Sequence, residues 1–352
     1  MPINAIYRAG RCVTIQGSKA QHGHLQDLDG IRGALAVCIM LYHYGLNSVI
    51  NRLSDNFFDH VLWGFCVDFF FVLSGFVLAM SLTARPMKLS AFAAKRIRRL
   101  LPVHLAILIA FFPALFVHYR PDVWEVIVNL TLLQSSVGMR SINQPSWSAG
   151  LELTLPLLAV AAWGLYGRLP KSAALWALLA CSALAGYVLA LVAAGPTHEI
   201  PRAILGLAMG FLLFPVARSY IDPKADTRRS LLTYASLLAG IGVIFVADIV
   251  PAAAALFPFA CILTIITGSR SKSLLSTPVA QWFGSRSYTI YMVHFPVLIA
   301  AVELFGEAEL QGNIALKAGM IALSLLLADL LTRFVELPMM RARRREPAAT
   351  AP

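Results

Sequence analysis

Charge is scarce in this chain. Only 13% of its 352 residues are Asp, Glu, Lys or Arg, while 58% are hydrophobic and the mean hydropathy is +0.71. A water-soluble domain carries roughly 25% charged residues, so an ordinary soluble fold is excluded. Cysteine is sparse too. Cys12, Cys38, Cys66, Cys181 and Cys261 are scattered, with neither the spacing of a zinc site nor a disulfide framework, and no metal is expected. Absent as well are a GxSxG elbow, a His-Glu zinc pattern, a P-loop and a dinucleotide-binding glycine fingerprint. Residues 1–25 hold Arg8, Arg11 and Lys19 and lack the apolar core and cleavage site of a signal peptide. They are expected to form a cytoplasmic tail. No linker divides two folded units and the loops are short, so any chemistry belongs inside the apolar bulk.

What abounds is apolar runs of about 20 residues, each long enough to cross a bilayer. They fall near 31–50, 61–82, 100–119, 146–166, 173–194, 201–218, 230–249, 251–268, 286–305 and 314–334. The pattern predicts an all-α, polytopic transmembrane helix bundle of about ten spans. A shorter run, 123–137, reads as an interfacial or re-entrant helix, or as an eleventh span. The expected organisation is a tail over 1–25, a membrane domain over 26–340 and a basic cytoplasmic tail over 341–352. With the N-terminus inside, 24 of the 29 Lys and Arg residues face the cytoplasm and 5 face outward. That asymmetry obeys the positive-inside rule and places both termini in the cytoplasm, in a multi-pass protein of the cell (inner or plasma) membrane. It also accounts for the net charge of +11 through membrane lipids, with no nucleic acid as partner. Prolines 102, 113, 156, 215, 258 and 296 fall within spans, where neighbouring helices satisfy the carbonyls they release. Gly206 and Gly210 form a small-xxx-small pair, the mark of a close helix contact.

Ionisable residues inside such runs cost at least ~2.5–3.5 kcal/mol each, and they cluster in four places. Arg32 and His43 lie 11 residues apart, about three helical turns and ~16 Å, on one face of the first span. A basic entrance with an imidazole deeper in suits an anionic ligand arriving from the cytoplasm. Asp68, in the second span, has two available roles: orienting His43 or neutralising an arginine. Arg96, Arg98 and Arg99, with Lys95, precede the third span. They suit phosphate binding as well as ordinary anchoring to anionic lipid. Glu152 follows Trp147 and Ser148 just inside the outer edge of its span. It suits proton transfer or pairing with His43, and Arg202 is a candidate counter-charge. His104 and His294 also lie within spans.

These stretches, in this order, resemble the acyltransferase 3 family of membrane-bound O-acyltransferases, the O-antigen acetylase type. Leu28-Asp29-Gly30-Ile31-Arg32-Gly33 through His43 resembles its Arg-x10-His signature. Val67 to Phe76 resembles its second-span block, Arg96 to Pro102 its basic loop, and Ser146-Trp147-Ser148 with Glu152 its Trp-Ser-x3-Glu block. Ser287 to Pro296 and Phe334 to Pro338 match near the end. Two departures stand out: Leu153 to Pro156 replaces a polar-aromatic run, and His104 stands where an aromatic is more common. The extra extracytoplasmic hydrolase-like domain of some relatives is not expected in 352 residues.

The resemblance implies transfer of an acyl group, usually acetyl, from acetyl-CoA to a carbohydrate hydroxyl. Relatives modify lipopolysaccharide, exopolysaccharide, peptidoglycan, signalling oligosaccharides or macrolides. It assigns Arg32 and His43 as needed for activity. On the combined reading, Arg32, Arg96, Arg98 and Arg99 meet the phosphates of the acyl-CoA donor. His43 acts as general base or transient acyl carrier. Glu152 and Asp68 support it, and Trp147, Ser148, Arg202 and His294 shape the acceptor side. The alternative from a different class is a transporter or exporter of a glycan or lipid-linked intermediate, which also tolerates buried charges and proline-broken helices.

Overall fold

The computed structural model describes residues 25–45, 62–84, 87–166, 199–217, 227–249, 256–269 and 271–341. Among the described residues every regular element is helical. The two expected tails, apart from Leu25 and Arg341, and the expected span near 173–194 lie outside them.

Helix α1 runs Gln26–His43. Asp27 and Asp29 occupy its first turn, where carboxylates favour the positive end of the helix dipole. The Asp27 carboxylate also accepts hydrogen bonds from the Ser271 and Ser273 hydroxyls. The helix stops where Gly45 turns to φ 67°, a conformation that costs glycine little. The expected span, 31–50, is thus displaced toward the N-terminus: Arg32 falls in the second turn and His43 is the last helical residue.

Helix α2 spans Leu62–Ala84 and α3 spans Leu89–Tyr119. At 31 residues, α3 is about 46 Å long and begins well before the expected residue 100. The basic run Lys95–Arg99 is therefore helical and not a loop, which decides below which of its charges share a face. Next comes α4, Val123–Leu130, opened by an Asp122–Glu125 capping box that satisfies two orphan amides. Eight residues cannot cross a bilayer, so the 123–137 run is a short helix followed by the 3-10 turn Gln134–Val137.

The remaining described helices are α5 (Ser146–Tyr166), α6 (Glu199–Ala217), α7 (Thr227–Ile249), α8 (Phe257–Gly268), α9 (Pro278–Phe305), α10 (Glu307–Gly312) and α11 (Ile314–Leu331). A π turn, Thr332–Glu336, carries α11 into the short α12, Leu337–Arg341. Among the described residues, four stretches are long and apolar enough to cross a membrane: Phe65–Ala84, Leu89–Tyr119, Pro278–Phe305 and Ile314–Arg341. Ile109, Leu238 and Leu304 are exposed by 71%, 68% and 76%. Facing water, each would forgo about 1.5–3 kcal/mol of burial; facing lipid, it needs no cover. The protein is an integral membrane protein.

Two helix contacts set the position of the site, and both depend on glycine. A Cβ on Gly33 of α1 would sit 2.5 Å from the Gly284 backbone nitrogen of α9, so any side chain there would force the two helices apart. Likewise a Cβ on Gly210 of α6 would run into the Val72 carbonyl of α2. Its expected partner Gly206 packs less tightly, with the Phe71 Cβ at 3.1 Å.

Candidate active site

A cavity of about 290 Å³ opens between α1, α2, α3 and α5. Its polar lining is Asp29 and Arg32 from α1, Ser74 and Ser81 from α2, Lys95, Arg96 and Arg99 from α3, and Glu152 from α5. Helical periodicity explains the selection from α3. Residues 95, 96 and 99 project within one arc, whereas residue 98 is turned about 100° away from 99. Arg98, expected among the donor-binding residues, does not line the cavity; Lys95, read as part of the phosphate-suited run but not assigned to the donor, does.

Within this lining the cations differ. The Arg96 Nη1 donates to the Glu152 backbone carbonyl at 2.5 Å, and its Nη2 reaches the Ser74 hydroxyl at 3.4 Å. Its guanidinium also stacks on the Phe92 ring, 5.3 Å from the centroid, a favourable cation–π arrangement. Arg96 is thus partly committed to tying α3 to α5. Among the described residues, the side chains of Arg32 and Arg99 donate no hydrogen bond and join no ion pair. The opposite charges acting on Arg32 come from Glu152, Asp29 and Glu336, and Arg99 supplies a like charge. Glu336 belongs to the π turn, is 6% exposed, and its Oε2 has no hydrogen-bond partner among the described residues. No role was expected for it, although π turns recur at functional sites.

A smaller pocket, about 40 Å³, adjoins the first and shares Arg32, Phe70 and Glu152 with it. Ser148, Tyr288 and Tyr291 line its other side, and the Ser148 hydroxyl donates to the Tyr291 oxygen at 2.9 Å. The Tyr291 ring lies 5.9 Å from the His294 ring, which lies 5.0 Å from the His43 ring. Shared linings and successive contacts therefore connect the basic mouth to Arg32 and Glu152, then to Ser148 and Tyr291, then to His294 and His43. Neither pocket is lined by His43 itself; Tyr291, unassigned in the sequence reading, stands between.

The imidazoles meet directly. The His294 Nε2 is 3.2 Å from the His43 Nδ1, and His294 is fully buried. The Tyr44 hydroxyl donates to the His294 carbonyl at 2.8 Å and pairs with the Ser324 hydroxyl at 2.6 Å. The Lys317 ammonium donates to the Gly45 carbonyl at 3.0 Å, so α11 pins the end of α1 where His43 sits.

Other expected residues lie elsewhere. Asp68 accepts from Arg202 at 2.7 Å between α2 and α6, with side chains 1% and 4% exposed. The carboxylate neutralises an arginine and does not touch His43, and Arg202 is the counter-charge of Asp68, not of Glu152. Trp147 is core: it packs with Ile39, Cys66, Val67 and Leu151, its ring 5.8 Å from Phe71. The His104 Nε2 meets the Asn129 carbonyl at 2.7 Å, beneath the 129–146 connection.

With this geometry in place, comparison with known proteins is decisive. The domain model of the acyltransferase 3 family, described as an acyltransferase domain, matches residues 25–333. The chain belongs to this family. It is 26% identical to the acyltransferase MdmB of Streptomyces mycarofaciens, over 93% of this chain and 95% of that protein. It is 24% identical to the peptidoglycan O-acetyltransferase OatA of Listeria monocytogenes, over 90% of this chain and 56% of OatA. It is also 24% identical to the putative peptidoglycan O-acetyltransferase YrhL of Bacillus subtilis, over 90% and 55%. The chain thus spans nearly all of MdmB but little more than half of the other two. No solved structure matches it. Membership decides between the enzyme and the transporter: the protein is an O-acyltransferase.

Proposed function

We propose that this membrane enzyme transfers an acetyl group from acetyl-CoA to a hydroxyl of a cell-surface or exported carbohydrate. The observation that carries the reading is the cavity in which Arg32 and Arg99, without protein partners among the described residues, sit with Lys95 and Arg96. Unengaged guanidinium groups in a sheltered cleft favour a phosphate ligand, which arginine binds through paired donors. Acyl-CoA carries such phosphates at one end and its thioester at the other, joined by a thin arm suited to the narrow inner pocket. The names of OatA and YrhL support an O-acetyl product.

In this reading the donor enters from the cytoplasm, its phosphates on Arg32 and Arg99. Its arm passes Glu152, Ser148 and Tyr291 toward His43. The acceptor approaches from the outer side, and His43 receives the proton of its hydroxyl. About ten spans with both termini in the cytoplasm fit this division of sides.

The test compares cells expressing wild type and His43→Ala at equal membrane abundance. Mild base releases ester-bound acids from surface glycans, and the acids are quantified. Acetate present with wild type and reduced by about 10²–10⁴-fold in the variant is expected. Equal release from both would overturn the assignment of His43.

A further inference from the structure

Among the described residues, three contacts of the ring nitrogens of His43 and His294 fit one arrangement of protons in the neutral rings. The His43 Nδ1 lies 3.0 Å from the Ile39 carbonyl, the His294 Nδ1 lies 3.2 Å from the Ile290 carbonyl, and the His294 Nε2 lies 3.2 Å from the His43 Nδ1. A carbonyl oxygen only accepts, so each Nδ1 must carry a hydrogen. The His294 Nε2 then holds a lone pair and accepts from His43, whose Nδ1–H is shared between that nitrogen and the Ile39 oxygen. The opposite tautomers would set lone pairs against both carbonyls in a buried site, where an unsatisfied polar group costs about 1–3 kcal/mol. The carbonyls are fixed because both are in helix interiors, and the rings face each other because α1 and α9 close on Gly33 and Gly284.

From this we infer that His294 is a positioning residue that holds His43 as its Nδ1–H tautomer and so places the reactive lone pair on the His43 Nε2. This rests on His43 being the base in acyl transfer. The acceptor O–H proton passes to the His43 Nε2, the oxygen bonds to the thioester carbonyl carbon, and the C–S bond breaks. The departing sulfur takes the proton back from His43, giving ester and thiol. While His43 is an imidazolium, its Nδ1–H strengthens its bond to the neutral His294, as charge-assisted donors do. Neither Asp68 nor Glu152 is needed for this. Asp68 pairs with Arg202, and Glu152 lines both pockets, neither of which is lined by His43.

Two measurements test it on the full-length protein in lipid nanodiscs. The ¹⁵N chemical shifts of labelled histidine, assigned to His43 by comparison with His43→Ala, report the tautomer without any assay of activity. Protonated Nδ1 and unprotonated Nε2 are expected; a protonated Nε2 would overturn the inference even if acyl transfer is real. Conversely, the expected shifts with no acyl release from wild-type cells would leave the geometry standing and remove the reaction. The second measurement compares His294→Gln, whose amide oxygen can accept from the His43 Nδ1, with His294→Leu, which cannot. At equal abundance His294→Leu should lose about 10²-fold in acyl release, and His294→Gln should keep activity within about tenfold of wild type. Equal activity in His294→Leu and wild type, or equal loss in both variants, would overturn the positioning role.

Discussion

Two arginines inside this helix bundle have opposite fates. Arg202 meets Asp68 at 2.7 Å in a contact almost closed to solvent, so α6 and α2 share a neutral pair at their glycine-lined crossing. Arg32, on α1, faces a cavity and makes no hydrogen bond or ion pair among the described residues. Both charges resist burial in hydrocarbon. One is neutralised within the protein, which makes it structural. The other is held close to carboxylates without direct pairing, an arrangement that leaves its donors available to an anion. The difference between a charge that completes a fold and a charge that awaits a ligand is thus visible in the partners each has.

Breaking the Arg202 contact should give the largest effect on the protein itself. Arg202→Ala removes one member of a buried ion pair, which costs about 3–5 kcal/mol and should sharply lower membrane abundance and thermal stability in detergent. The double change Asp68→Leu with Arg202→Met should recover most of that loss, since apolar replacement of a buried pair is often neutral or stabilising. Arg32→Ala should behave the other way. Abundance and stability stay near wild type, while the concentration of acetyl-CoA needed for half-maximal transfer rises about 10–100-fold. That range corresponds to a lost charged hydrogen bond of about 1.5–3 kcal/mol.

The fold class was legible in the sequence, the contrast between the two arginines was not, and the difference has physical causes. The charge deficit and the apolar runs identified a helical membrane protein, because every residue adds to those averages. Spacing put Arg32 and His43 on one face of the first span, yet Arg32 lines both pockets and His43 lines neither. Helix starts were less legible. α1 and α3 begin earlier than their apolar runs because Asp27, Asp29, Lys95 and Arg96 are helical without being apolar, and hydropathy does not register them. Had the helix been extended back over the basic run, the 3.6-residue period would have separated Arg98 from Arg96 and Arg99. Pairings across long separations were not legible. Asp68 with Arg202 and His43 with His294 are brought together by helix crossings that glycine permits, and no local pattern announces which spans will cross.

Smaller effects sharpen the contrast at its edges. On α4, too short to span the membrane, Glu125 accepts from Arg140 at 2.5 Å in a partly exposed pair, which holds the Glu125 carboxyl below its usual range. A lowered folded-state value means the pair contributes above the ordinary glutamate pKa. The contribution fades as pH falls through the lowered value. Surface pairs are worth about 0–1 kcal/mol, so Glu125→Gln should shift stability by no more than that at neutral pH and by nothing measurable at strongly acidic pH. Thermal unfolding at the two pH values checks this. The smallest effect belongs to Arg98→Ala, which should leave acetyl-CoA dependence within about twofold of wild type, whereas Arg99→Ala should weaken it as Arg32→Ala does.

The most direct test of the central claim, that Arg32 serves a donor and Arg202 the fold, uses radiolabelled acetyl-CoA with isolated membranes. Wild type, Arg32→Ala and the Asp68→Leu/Arg202→Met pair are compared at matched abundance, at low and saturating donor. The account predicts base-labile label incorporated by wild type and by the double variant, and incorporation by Arg32→Ala that is strongly reduced at low donor and partly restored at saturation. Undiminished incorporation by Arg32→Ala at low donor, or none by wild type, would contradict it.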